Sequence, residues 1–129
     1  MLTANIVELG VASLQPLGYE MKAKVAGLLA GVLLTPLALL LAASSAGAGH
    51  GDYVVARALF PFSILSTHLT GSLTIVGVAL ACAQYPLYGY LIGAALQKKR
   101  PWSPGVVVAT GAHTLAVALV FAYPNGFAS

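Results

Sequence analysis

The sequence predicts an all-α integral membrane protein, with three transmembrane helices and short interfacial helices. Three observations carry that reading. Hydrophobic residues make up 59% of the 129-residue chain and charged residues only 7%, where a soluble domain carries about 25% charged. Leu69 to Leu96 runs for 28 residues without Asp, Glu, Lys, Arg or His, and a helix needs about 20 to cross a hydrocarbon core. Five of the six basic residues, Lys22, Lys24, Lys98, Lys99 and Arg100, flank apolar runs. Those runs are continuous rather than alternating at period two, which sets aside a membrane β-barrel. A soluble globule this small leaves much of its surface exposed and cannot hide so much apolar area. Residues 1–129 therefore read as one membrane domain.

Residues 1–20 come first. Ile6, Val7, Leu9, Val11, Leu14 and Leu17 recur near helical spacing, interrupted by Asn5, Glu8 and Gln15. This pattern fits a short amphipathic helix lying at the cytoplasmic interface, broken by Pro16 and Gly18. The alternative is a loosely ordered tail.

Val25 to Ala46 is the first expected span (TM1). Pro36 lies inside it and should kink the helix by removing one backbone hydrogen bond. Gly27 and Gly31 form a GxxxG pair that lets another helix backbone come close. Lys22 and Lys24 before it, and the small-x-small triplet Ala46-Gly47-Ala48 after it, also resemble a signal peptide. The apolar segment exceeds the 7–15 residues of such a core, so a retained helix is expected.

Gly47 to Thr67 is the expected outer loop. Asp52 is placed to N-cap a short helix over residues 53–60, with Val54, Val55, Ala58, Leu59 and Phe62 on one face. Tyr53, Phe60 and Phe62 suit a membrane–water interface, and Pro61 ends or bends the helix. A re-entrant or interfacial element is the expectation.

The central span (TM2, 69–96) is longer than a crossing needs, so it must tilt, kink or project. Pro86, near Gln84, offers the kink. Tyr85, Tyr88 and Tyr90 read as an aromatic belt toward the basic end. Gly77 with Ala81, and Gly89 with Gly93, repeat the small-xxx-small spacing of packed helices. Residues 97–104, QKKRPWSP, form a short turn into the third span (TM3, 105–123), where Gly105 and Ala109 again have that spacing. Residues 124–129 form a tail.

The basic residues set the expected topology. Lys22, Lys24, Lys98, Lys99 and Arg100 should face the cytoplasm, with Arg57 opposite. Three spans then put the N-terminus inside and the C-terminus outside, in a bacterial cytoplasmic membrane. The net charge of +3 is a topology signal rather than a nucleic-acid patch. The expected partners are the lipid bilayer, and other membrane subunits or further copies of the chain. The single cysteine, Cys82, can form no disulfide within the chain.

His113 is the residue most able to carry chemistry. An ionisable side chain in the middle of a span is costly and usually faces protein or a cavity. Its neutral imidazole can ligate a haem iron or a chlorophyll magnesium. Gly105 and Ala109, at i−8 and i−4, would leave a smooth face for a flat ring. The stretch Ala109 to His113 resembles bacterial light-harvesting polypeptides in its small residue four before a membrane histidine. That resemblance, five residues long, implies chlorophyll ligation. The plainer expectation is a hydrogen bond across a helix interface, to Ser, Thr or a backbone carbonyl, with Thr110 and Thr114 nearby. A proton path is a third role.

His68 lies about 20 Å from the centre of its span at 1.5 Å per residue, too far to share a haem with His113. His50 and Asp52 supply two metal ligands where a structural site needs about four. The acids are only Glu8, Glu20 and Asp52, all at or beyond the expected membrane edges, and there is no HExxH. An enzyme is therefore not expected. Three functional classes remain: a non-catalytic accessory subunit of a larger membrane complex, a haem- or chlorophyll-binding subunit using His113, or a small self-associating transporter or channel. The last would be lined by Gln84, Thr70, Ser72, Thr74, Thr110, His113 and Thr114.

Overall fold

The computed structural model describes residues 17–47, 53–98 and 102–123. Every regular element among them is an α-helix: α1 (Leu17–Gly47), α2 (Val54–Leu59), α3 (Pro61–Thr70), α4 (Ile75–Gln97) and α5 (Pro104–Ala122). Three stretches, Met21–Ser45, Ile75–Gln97 and Pro104–Ala122, are long and apolar enough to span a membrane. The amphipathic segment expected before Leu17 lies outside the described residues, as do Asp52, Lys99 and Arg100.

α1 starts earlier than expected and carries Gly18 within it rather than breaking there. Pro36 sits inside the helix and withholds the amide that the Val32 carbonyl would accept. A spanning helix tolerates this when its neighbours support it. The main support is α4, which runs antiparallel to α1 along the longest interface in the bundle. Their surfaces meet at backbone contact. A Cβ on Gly27 would strike the Gly89 carbonyl, and one on Gly89 would strike the Gly27 carbonyl. On Gly31 it would lie 2.7 Å from Pro86 Cα, and on Gly93 3.2 Å from Lys24 Cα. Gly27 and Gly89 thus face each other, and each step of four from them is matched by a step of four in reverse, Gly31 against Tyr85 and Pro86, Gly93 against Ala23 and Lys24. Beyond them Ala38, Ala42, Ala81 and Phe60 form the buried core, flanked by Ala56, Leu59 and Tyr85.

The uncharged run from Leu69 to Leu96 is not one helix. Leu69 and Thr70 finish α3, and Gly71 turns the chain with φ 72°. Left-handed backbone of this kind favours glycine. Its N–H donates to the Thr67 carbonyl at 2.8 Å, which closes the end of α3. Thr74 then N-caps α4, its side chain accepting from Gly77 N–H at 3.5 Å. The surplus length goes into this break.

The segment before the break is also different from a surface helix. α2 begins at Val54, after Tyr53, whose φ is 50°. α2 ends at Leu59, because Pro61 disfavours helical backbone at the preceding residue and Phe60 takes φ −129°, ψ 53°. Pro61 opens α3 at its first position, where its missing N–H costs nothing. Phe60 and Pro61 are buried, Phe60 at 3% exposure. α3 then returns, with Ser63 and Ser66 near Gly77 in the first turn of α4. The short helix expected over 53–60 is present as α2, Val54–Leu59. α2 and α3 form a helical hairpin that turns back halfway along α4, because its Phe-Pro-Phe tip is too apolar to stay outside the core.

α5 is capped by Ser103, which accepts from Val106 N–H at 3.5 Å, and has Pro104 at its first position. It packs against α3, α4 and α2 but not extensively against any. The antiparallel pairing of α1 and α4 gathers Lys22, Lys24 and Lys98 at one end of the bundle, with Ala23 against Gly93. Arg57, in the last turn of α2, belongs to the other half.

Candidate functional site

The break between α2 and α3 creates a polar problem in an apolar setting. In an unbroken helix the Leu59 carbonyl would accept the amide four residues on, and at Phe60–Pro61 that ladder stops. An unpaired carbonyl away from water costs on the order of 1–3 kcal/mol. Two side chains of α4 answer it. Gln84 Nε2 donates to the Leu59 carbonyl at 2.7 Å, and the Tyr85 hydroxyl donates to the same oxygen at 3.1 Å. Gln84 is 5% exposed, and its Oε1 has no hydrogen-bond partner among the described residues. The Leu59 carbonyl fixes which end of the amide is the donor.

From Tyr85 a chain of aromatic contacts leads to α5. Phe60 meets Tyr85 edge-on at 5.5 Å between ring centres, and Tyr85 meets Tyr88 at 6.3 Å. Tyr88 meets His113 at 5.7 Å, and Phe62 at the tip of α3 meets His113 at 6.3 Å. The Tyr88 hydroxyl lies 3.0 Å from His113 Nδ1. His113 is half-buried, nine residues from either end of α5.

The bundle therefore brings Leu59, Gln84, Tyr85, Tyr88, Phe62 and His113 together at one level. Tyr85 and Tyr88 are not an aromatic belt at the helix end, as the sequence suggested. They stand near the middle of α4 because the hairpin tip needs them there, while Tyr90 is exposed. The partner of His113 is Tyr88, and Thr110 and Thr114 are exposed beside it. Tyr88 and Phe62 carry no signal in sequence that points to His113, and only the hairpin makes them neighbours. His68 sits in the last turn of α3, six residues beyond Phe62 and so about 9 Å further along the helix.

A recess of about 190 Å³ opens between α4 and α5, with Tyr88, Ile92, Ala109, Thr110, His113 and Thr114 among its walls. The smooth face expected at Gly105 and Ala109 belongs partly to the helix contact, since a Cβ on Gly105 would lie 3.1 Å from Leu91 Cδ2. Ligand pockets measure roughly 300–1,000 Å³, and this recess is smaller and open on one side. A second recess of about 420 Å³ lies between α1, α2, α3 and α4. Its walls, including Leu39, Ala42, Phe60, Ile64 and Val78, are almost wholly apolar.

Of the small residues expected at helix contacts, Gly27, Gly31, Gly89 and Gly93 lie in the α1–α4 seam. Gly77 lies against Ser66 and Leu73, and Ala81 lies in the core. Gly105 and Ala109 face α4. No protein-family model, curated protein or solved structure matches this chain.

Proposed function

We propose that this chain is a small, non-catalytic subunit that packs within a larger membrane assembly, docking through the outward face of α5. The observation that supports this reading is Gly111. A Cβ added there would meet nothing within 4 Å, and the side chains around it on the same face, Val107, Val108 and Leu115, are 52%, 70% and 62% exposed. An exposed glycine inside a helix costs about 0.5–1 kcal/mol relative to alanine. In lipid, that cost is offset when another helix backbone approaches. The other glycines that could serve such a contact, Gly27, Gly31, Gly89 and Gly93, are already used between α1 and α4. α5 is also the least covered of the three spans.

Native-size separation of gently solubilised membranes, with mass spectrometry on the band holding this chain, tests the reading. The expected result is co-migration with other membrane subunits, lost when Gly111→Leu blocks the approach. Migration of the wild-type chain alone would sink it.

The orientation proposed with this role puts the Lys22, Lys24 and Lys98 end at the cytoplasmic face of a bacterial inner membrane. The N-terminal segment then lies at that face and the C-terminus outside. Labelling in intact cells by a membrane-impermeant maleimide checks it, in a Cys82→Ala background. Ser129→Cys should react and Leu2→Cys should not.

A further inference from the structure

Three side chains of the α4–α5 recess have hydrogens to donate and give them to no described residue. Elsewhere in the bundle, the hydroxyls of Thr35 and Thr67 turn back onto their own helices. Thr35 donates to the Gly31 carbonyl at 2.9 Å and Thr67 to the Ile64 carbonyl at 2.7 Å. Thr110 and Thr114, in the middle of α5, make no hydrogen bond with the described residues. Both line the recess.

His113 is the third. Its Nδ1 pairs with the Tyr88 hydroxyl, and two tautomers are conceivable. If Nδ1 carried the proton and donated to Tyr88, the phenol hydrogen would have no acceptor and Nε2 would be an unpaired acceptor. If Tyr88 donates to Nδ1, only the Nε2–H is left over. Unpaired polar groups away from water are costly, so the second arrangement is preferred. His113 then offers Nε2–H as a donor, and no described residue accepts it.

The recess thus presents donors at residues 110, 113 and 114 and asks for acceptors. Its depth narrows their source. His113 is nine residues from each end of α5, about 13 Å along the axis. Ester carbonyls of glycerolipids lie at the edge of a hydrocarbon core about 30 Å thick, roughly a half-thickness away. The acceptor must therefore belong to a molecule that is itself soluble in the hydrocarbon. Its size is also bounded: the recess is about 190 Å³, and a cavity of about 150 Å³ holds benzene. Ile92, at the rim, is half exposed, so an attached hydrocarbon tail can remain in the lipid.

We propose that this recess binds a membrane-soluble quinone-type ring, a single six-membered ring whose carbonyl oxygens accept from His113 Nε2 and from the Thr110 or Thr114 hydroxyl. Ala109 leaves room for the ring and Ile92 packs against it. The inference is independent of the docking of α5, because Gly111 lies on the opposite side of the helix from His113.

The test is equilibrium binding of para-benzoquinone bearing a decyl tail to the full chain in phospholipid nanodiscs, followed by ligand-observed NMR. The expected result is saturable binding at one site per chain. His113→Phe should weaken it by about tenfold or more, the loss of one hydrogen bond of about 1.4 kcal/mol. Thr110→Val combined with Thr114→Val keeps the side-chain shapes and removes no bond to a described residue, so it guards against a folding defect and should weaken binding similarly. Decylbenzene, with ring and tail but no acceptors, should not compete. Competition by decylbenzene, wild-type affinity in either variant, or absence of saturable binding would overturn the proposal.

Discussion

The side-chain amide of Gln84 stands 2.7 Å from the carbonyl oxygen of Leu59, twenty-five residues earlier in the chain. That contact joins the middle of a long helix to the tip of a hairpin, and it exists because Phe60 and Pro61 stop the α2 hydrogen-bond ladder. In an apolar bundle a freed carbonyl must be met by a side chain. The hairpin and the polar residues of α4 are therefore one device.

Replacing Gln84 should loosen that device. Gln84→Leu leaves the Leu59 carbonyl with Tyr85 alone and is expected to destabilise the fold by about 1–3 kcal/mol. Tyr85→Phe should cost about 0.5–1.5 kcal/mol. The double variant should lose more than the two single losses added together, since either donor partly covers for the other. Unfolding in mixed micelles by denaturant titration reads all three, and additive losses would show that the two donors act separately.

Glycines separate into two groups by what surrounds them. Gly27→Ala and Gly89→Ala put a methyl into a facing backbone carbonyl, and each should cost about 1–3 kcal/mol or more, as overpacking does. Gly111→Ala meets open space and should stabilise the isolated chain by about 0.5–1 kcal/mol through helix propensity. Equal effects from the three substitutions, measured by the same unfolding assay, would contradict the α1–α4 seam.

Gly71 is the hinge of the interrupted central run. With φ at 72°, Gly71→Ala should cost about 1–2 kcal/mol from the left-handed conformation alone. Gly71→Asn should be milder, because asparagine tolerates that region. Were Gly71→Ala neutral, α3 and α4 would have to join into one helix, and cysteine cross-linking between Ser66→Cys and Gly77→Cys would fail.

The Tyr88–His113 pair makes a spectroscopic prediction. With Tyr88 donating, nitrogen NMR of labelled histidine should find His113 with Nδ1 bare and Nε2 protonated. Tyr88→Phe should remove that bias and mix the two tautomers. An Nδ1-protonated imidazole in the wild-type chain would reverse the donor assignment.

Much of this architecture was legible before folding was considered. Three apolar runs with basic ends specify three helices of spanning length, since backbone groups in an apolar medium must bond within their own segment. The paired glycines at 27/31 and 89/93 specify faces fit for close approach. The sequence also marked His113, because a titratable group inside an apolar run is conspicuous. It misled where apolar character hid a break: Gly71-Ser72-Leu73-Thr74 carries no charge, so it read as part of one span although Gly71 and Thr74 are cap residues.

Only the tertiary structure decided who meets whom. Hydropathy is a property of single residues and says which segments leave water, but not which faces they share. Gly27 and Gly89 meet each other, with Gly31 and Gly93 covered by the same two helices, because antiparallel packing of α1 on α4 aligned their steps of four. Tyr85 and Tyr88 became ligands of a carbonyl and an imidazole, not interface anchors, because Pro61 turned the α2–α3 hairpin back at their level. The donors of the α4–α5 recess converge because of helix contacts between residues distant in the chain. Such contacts arise from packing, and no local pattern encodes them.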